Sequence, residues 1–141
     1  MSTDEIRKLA SDFADRGKMA FGEAATSEQI SEFEKEHNIS LPTHFKEWLR
    51  FSDGGEFFLP GGVQFYGVSH KPLIDIADDD RPNENYIVIG ALATGDPILF
   101  EIGKESISIY NHTDGKIEDD EIYADFFAFL SDLDGILGIG G

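Results

Sequence analysis

The chain has 141 residues, 28 acidic and 11 basic for a net charge of −17, and 12 Phe, 4 Tyr and 1 Trp among 40% hydrophobic residues. That is enough apolar material for one domain of this length and too much for global disorder. Cysteine is absent, which excludes disulfides, thiolate catalysis and cysteine-ligated zinc, and fits a cytoplasmic protein.

Ser2 can cap a first helix with Glu5 as its capping-box partner, and Ile6, Leu9, Ala10, Phe13 and Ala14 then make an apolar stripe at helical spacing. Acidic and basic residues interrupt this N-terminal stretch, so no signal-peptide segment is expected. Gly17, Gly22, Ala24 and Ala25 read as an irregular link. Thr26 and Gln29 form a second capping box, Ile30 and Phe33 face inward, and Asn38 suits the left-handed residue that ends a helix. Leu41-Pro42 opens a third helix, whose inner side is Phe45, Trp48 and Leu49, and Gly54-Gly55 stops it.

The pattern then changes to strands. Residues 57–59 and 63–68 flank a Pro60-Gly61-Gly62 turn; residues 86–91, 97–102 and 106–111 follow, separated by short glycine-containing turns suited to antiparallel hairpins. An acidic, proline-containing stretch over 75–85 reads as an exposed loop. Asp125 can cap a closing helix with Phe126, Phe129, Leu130 and Leu133 inside, and Gly135 with Ile136 would end it before a frayed tail over 135–141. The fold class is α+β: N-terminal helices, a mainly antiparallel sheet of about five strands and a C-terminal helix, in one domain over 1–141. No run of apolar residues approaches the length of a membrane helix; the longest spans 86–94.

Catalytic and metal chemistry find little support. His37, His44, His70 and His112 show no ligand spacing, and Glu34 with His37 gives a single Glu-x-x-His where a di-iron bundle needs two. The acidic runs Asp78-Asp79-Asp80 and Glu118-Asp119-Asp120-Glu121 lack the alternating ligands and terminal Glu of an EF-hand loop. There is no nucleophile elbow, Ser-x-x-Lys box or phosphate loop. No cofactor, metal or catalytic residue is therefore expected, and the chain reads as a binding protein rather than an enzyme.

The segment from residue 30 to 55 resembles the SUKH superfamily, which includes yeast cell-wall assembly regulators and many bacterial toxin-immunity proteins. The residues that carry it are Ile30, Glu34, Leu41, Pro42, Phe45, Lys46, Trp48, Leu49, Asp53, Gly54 and Gly55. Asn38 stands where the family commonly has Gly, and Asp53 where Asn is usual; both tolerate turn geometry. Ile89-Gly90 with Gly95-Asp96, and the Phe-rich closing helix, extend the resemblance over about 26–134, leaving 1–25 as a helical extension. It implies an α+β interaction module, an immunity protein that binds a cognate toxin in the cytoplasm, many such toxins being nucleases. The alternative it leaves open is a regulatory or scaffold protein of the same fold without a toxin partner.

Charge agrees with a basic partner. Residues 1–74 hold 12 acids and 8 bases, net −4, whereas 75–141 hold 16 acids and 3 bases, net −13. Such a surface repels nucleic acid and anionic membrane and draws in a basic groove. The expected contact set is Asp78, Asp79, Asp80, Glu118, Asp119, Asp120 and Glu121. Phe57, Phe58, Phe65 and Tyr66 cannot all face inward from an alternating hairpin: either the helices cover them, or one, Tyr66 for choice, is an apolar anchor inside an acidic rim. Oligomeric state is left open.

Overall fold

The computed structural model describes residues 3–15, 17–59, 62–70 and 73–133. The expected cap at Ser2, the turn at Pro60 and Gly61, and the stop at Gly135 and Ile136 lie outside them.

Local rules account for the helices. Helix α1 (Thr3–Ala14) buries Ile6, Ala10 and Phe13 along one stripe. At the start of α2 (Ser27–His37), Thr26 Oγ1 accepts from Gln29 N at 3.1 Å while Gln29 Oε1 accepts from Thr26 N at 2.9 Å, so two otherwise unpaired amides are satisfied reciprocally. Asn38, at φ 55°, ends the helix in the left-handed region. Pro42 sits just before α3 (Thr43–Leu49), where it forfeits no helical hydrogen bond. Asp125 Oδ1 accepts from Ala128 N at 2.8 Å and opens α4 (Phe126–Ser131).

Glu34 explains why the turn between α2 and α3 has this sequence. Its Oε2 accepts from Leu41 N at 2.7 Å and lies 3.4 Å from Lys46 Nζ, so one carboxylate ties both helices. Trp48 fixes the far end of α3: its indole N–H donates to Gly54 O at 2.9 Å in a buried setting.

The sheet is an antiparallel meander of seven strands in chain order: β1 (Lys18–Ala20), β2 (Gly55–Leu59), β3 (Val63–Phe65), β4 (Tyr86–Leu92), β5 (Pro97–Glu101), β6 (Ile107–Ile109) and β7 (Ile122–Tyr123). The five strands read from the sequence are all present. The two additional ones, β1 and β7, form the edges; at three and two residues they are too short to display a period-two pattern. The β3 strand also ends earlier than residue 68, because Gly67 pairs with Leu73 instead.

Phe57, Phe65, Ile87, Ile89, Ile98, Phe100, Ile107 and Ile109 point from the sheet into a core shared with Phe13, Phe45, Trp48, Phe126 and Phe129. The Phe126 ring lies 5.0 Å from Phe45 and 5.2 Å from Phe65, which couples both later helices to β3. Phe58 departs from strand alternation. Its φ of 55° turns it inward beside Phe57, and the two rings meet Phe13 at 5.3 and 5.7 Å. The helices thus cover Phe57, Phe58 and Phe65, whereas Tyr66 is half-buried. On the opposite face Val88, Leu99 and Ser108 form a buried row across β4, β5 and β6, so β4 and β5 bury apolar side chains on both sides.

Gly54 and Gly55 adopt φ of 95° and 116°, and a Cβ on Gly54 would stand 2.8 Å from Phe65 O. Gly54→Ala should therefore destabilise the fold by roughly 2 kcal/mol or more, read as a lowered urea midpoint with unchanged m-value. A midpoint equal to wild type would show that this corner relaxes freely.

Candidate functional site

The connection from β3 to β4, residues 66–85, is built around a buried carboxylate. The Asp53 side chain has no exposed surface. Its Oδ1 accepts from Val68 N, and its Oδ2 from Ser69 N and His70 N, each at 2.8 Å. His70 Nδ1 lies 2.8 Å from the same Oδ2, and His70 Nε2 lies 3.1 Å from Glu23 Oε2. One histidine thus bridges the turn after α3 and the segment before α2. Gln29 of α2 adds a third tie, donating to Ser69 Oγ at 3.0 Å.

Beyond this hub the connection returns to the sheet. Ile74 N donates to Gly67 O at 3.0 Å and its side chain is buried, whereas the adjacent Leu73 is 47% exposed. The acidic loop follows, held by its own turns: Asp75 Oδ1 accepts from Ala77 N and Asp78 Oδ1 from Asp80 N, both at 2.9 Å. Asp79 and Asp80 are exposed and Asp78 is half-buried. Arg81 closes the loop by donating to Tyr86 O at 2.9 Å. Burial, reinforced by the charges of Asp78 and Asp80, raises the Tyr66 phenol above its usual range. Tyr66 packs on the core, and Leu73 is the more exposed apolar side chain of this connection.

Glu118, Asp119, Asp120 and Glu121 lie elsewhere. They belong to the β6–β7 connection, where residues Asp119–Glu121 make a 3-10 turn and Glu118 pairs with Lys116 at 3.3 Å. In a sequential antiparallel meander the β3–β4 and β6–β7 connections fall at opposite ends of the sheet. The two acidic runs do not converge.

The other histidines have separate partners. His37 packs against Phe33 in a tilted arrangement, with ring centroids 4.4 Å apart; His44 sits 3.6 Å from Glu47 and 3.7 Å from Asp125; His112 pairs with Asp96. Glu34 faces α3 rather than forming a ligand pair with His37. Among the described residues no group of three His, Asp or Glu side chains is arranged to hold a metal ion, and no helix is long and apolar enough to cross a membrane.

Sequence reasoning missed the Asp53–His70–Glu23 cluster and Leu73. Asp53 read only as a turn former in place of Asn, and nothing in the spacing joins it to residues 30 positions earlier and 17 later. The available signal was an acid placed directly before the glycine pair that follows α3.

Hydrogen bonds to Asp53, then to Glu23, raise the His70 pKa above its ordinary 6.5. Proton binding therefore favours the folded state. The bridge stabilises fully below pH 6.5, and its contribution fades as pH rises through the higher folded-state value. The stability gap between wild type and His70→Gln, measured by urea unfolding, should be wider at about pH 5.5 than at about pH 8.5. A pH-independent gap would refute the bridge. Asp53→Ala, which strands three amides, should cost roughly 3 kcal/mol or more at either pH.

The sequence model of the SMI1/KNR4 family (SUKH-1) matches residues 24–132. No curated protein matches the chain significantly. The matched region begins just before the Thr26 cap and runs through α4, taking in the Glu34 clamp, the glycine corner and the Asp53–His70 pair, and leaving α1, β1 and Glu23 outside. With more than three-quarters of its length matched, the chain belongs to the SMI1/KNR4 family (SUKH-1).

Proposed function

We propose that this protein is a non-catalytic immunity module that binds a cognate basic toxin, a nuclease for choice, and blocks access to its substrate. The observation that carries the reading is a net charge of −17 on a member of a family whose proteins are commonly immunity proteins. A nuclease must hold phosphate and so exposes cationic surface; an acidic protein seated there excludes the substrate without any chemistry of its own. Long-range attraction also raises the association rate, which matters when inhibition must precede damage.

The β3–β4 connection is the preferred contact. It offers Leu73 as an exposed apolar side chain beside Asp75, Asp78, Asp79 and Asp80, on a loop braced by the Asp53 hydrogen bonds. An ordered loop surrenders less conformational entropy on binding than a free one. Glu118, Asp119, Asp120 and Glu121 at the other end add to the field that guides approach.

The test is association kinetics with any toxin domain encoded next to this gene. Replacing Asp78, Asp79 and Asp80 together by Asn should slow association about tenfold at low ionic strength and flatten its salt dependence. Replacing Asp119 by Lys should slow it less. Absence of any complex with the wild-type chain would sink the immunity reading and favour a regulator of the same fold.

A further inference from the structure

Phe57 and Phe65 occupy the core side of β2 and β3, so their neighbours Glu56 and Gln64 project from the face turned away from the helices. These two are direct cross-strand partners, and Gln64 Nε2 donates to Glu56 Oε1 at 3.1 Å. Two hollows, of about 360 and about 220 Å³, meet at this pair. The larger extends past Phe21 towards Glu23 and His70, and the smaller runs along Ala91 and Leu92. Together they make one trough across the outer side of the first strands.

The charge of the trough is mostly negative. Among the described residues that line it, the carboxylates are Glu23, Asp53 and Glu56, there is no Lys or Arg, and His70, already paired with Asp53 and Glu23, is the one group able to carry positive charge. Asp53 is fully engaged by loop amides and His70. Glu56 carries the outward negative charge; Glu23, although its side chain is 85% exposed, is paired with His70. Between them and along the smaller hollow the surface is largely apolar. An acidic rim over an apolar floor suits a long cationic side chain, whose methylene stem lies on carbon while its head reaches a carboxylate. Arginine fits better than lysine, because its planar fork can meet Glu56 in bidentate fashion and still donate to the Gln64 carbonyl oxygen.

We infer that this trough is a docking site for an arginine-bearing extended segment of a basic protein partner, with the guanidinium held at Glu56. The inference rests on the proposed function in taking the partner to be a basic protein, and it adds a contact apart from Asp78, Asp79 and Asp80.

The probe is an acetylated and amidated Gly-Arg-Gly peptide, titrated into the isotopically labelled full chain and followed by amide NMR shifts. Saturable shifts should cluster at Glu23, Glu56, Gln64 and Ala91, with a dissociation constant in the millimolar range, about −4 kcal/mol. Glu56→Gln, which keeps shape and removes charge, should weaken binding at least about fivefold, and a Gly-Glu-Gly peptide should give no saturable shift. Shifts centred on Asp78, Asp79 and Asp80, or equal affinity in Glu56→Gln, would overturn the trough. Binding to a toxin domain encoded next to this gene separates the two ideas. Toxin binding that ignores Glu56→Lys leaves the immunity reading standing and removes the trough. Peptide shifts in the trough of a chain that binds no toxin do the reverse.

Discussion

A carboxylate with no exposed surface survives in a protein interior only if its oxygens are met by donors, because burying an unpaired charge costs several kcal/mol. Asp53 meets that condition with three consecutive amides and one imidazole. The requirement runs in both directions. Val68, Ser69 and His70 leave the sheet with unpaired N–H groups, and the carboxylate lets β3 end at Phe65 and the chain turn outward. Asp53 is itself held in place by the corner before β2, where Trp48 and Ser52 both donate to Gly54 O, and Asp53 N donates to Glu23 O at 2.8 Å. Core packing, the glycine corner and the acidic connection are thus parts of one hydrogen-bonded assembly.

What was legible in the sequence was what is decided within a few residues. The Thr26–Gln29 box, the left-handed Asn38 and the Asp125 cap each depend on neighbours three or four positions away. The central strands announce themselves because both faces are buried, so 97–100 reads as an unbroken apolar run. Edges β1 and β7 were not legible, since they exist only where β2 and β6 offer unpaired edges. Phe58 hid for a related reason: its positive φ breaks the alternation on which a strand reading relies. The Glu34 role was half-visible. The Glu belonged to the family resemblance, but its pairing with Leu41 N and Lys46 appears only once the two helices meet at an angle.

The acidic residues show the same division between composition and placement. Their number and their excess in the second half could be counted, and the field they produce does not depend on the fold in detail. Whether two runs form one surface is a topological matter, and a meander with three intervening strands sends them to opposite ends. Strand β4 has seven residues, so those ends stand roughly 20 Å apart, at about 3.3 Å per residue. That exceeds twice the screening length of about 8 Å at physiological ionic strength. The two runs therefore act as separate centres near contact and as one negative object only at a distance.

On the proposed function, steering and holding would fall to different parts of the molecule. Attraction from afar sums over the acids and governs how fast a basic partner arrives; salt weakens it. Residence depends instead on surface where water is displaced and each charge finds a fixed counterpart, because exposed ion pairs contribute at most about 1 kcal/mol. Asp79, on an open loop tip, belongs to the first kind. On the proposed function, Leu73 beside the braced connection and Glu56 beside an apolar floor would belong to the second. In a protein this acidic, charge alone attracts many basic molecules almost equally, so discrimination must come from the few places where an apolar surface and a carboxylate lie side by side.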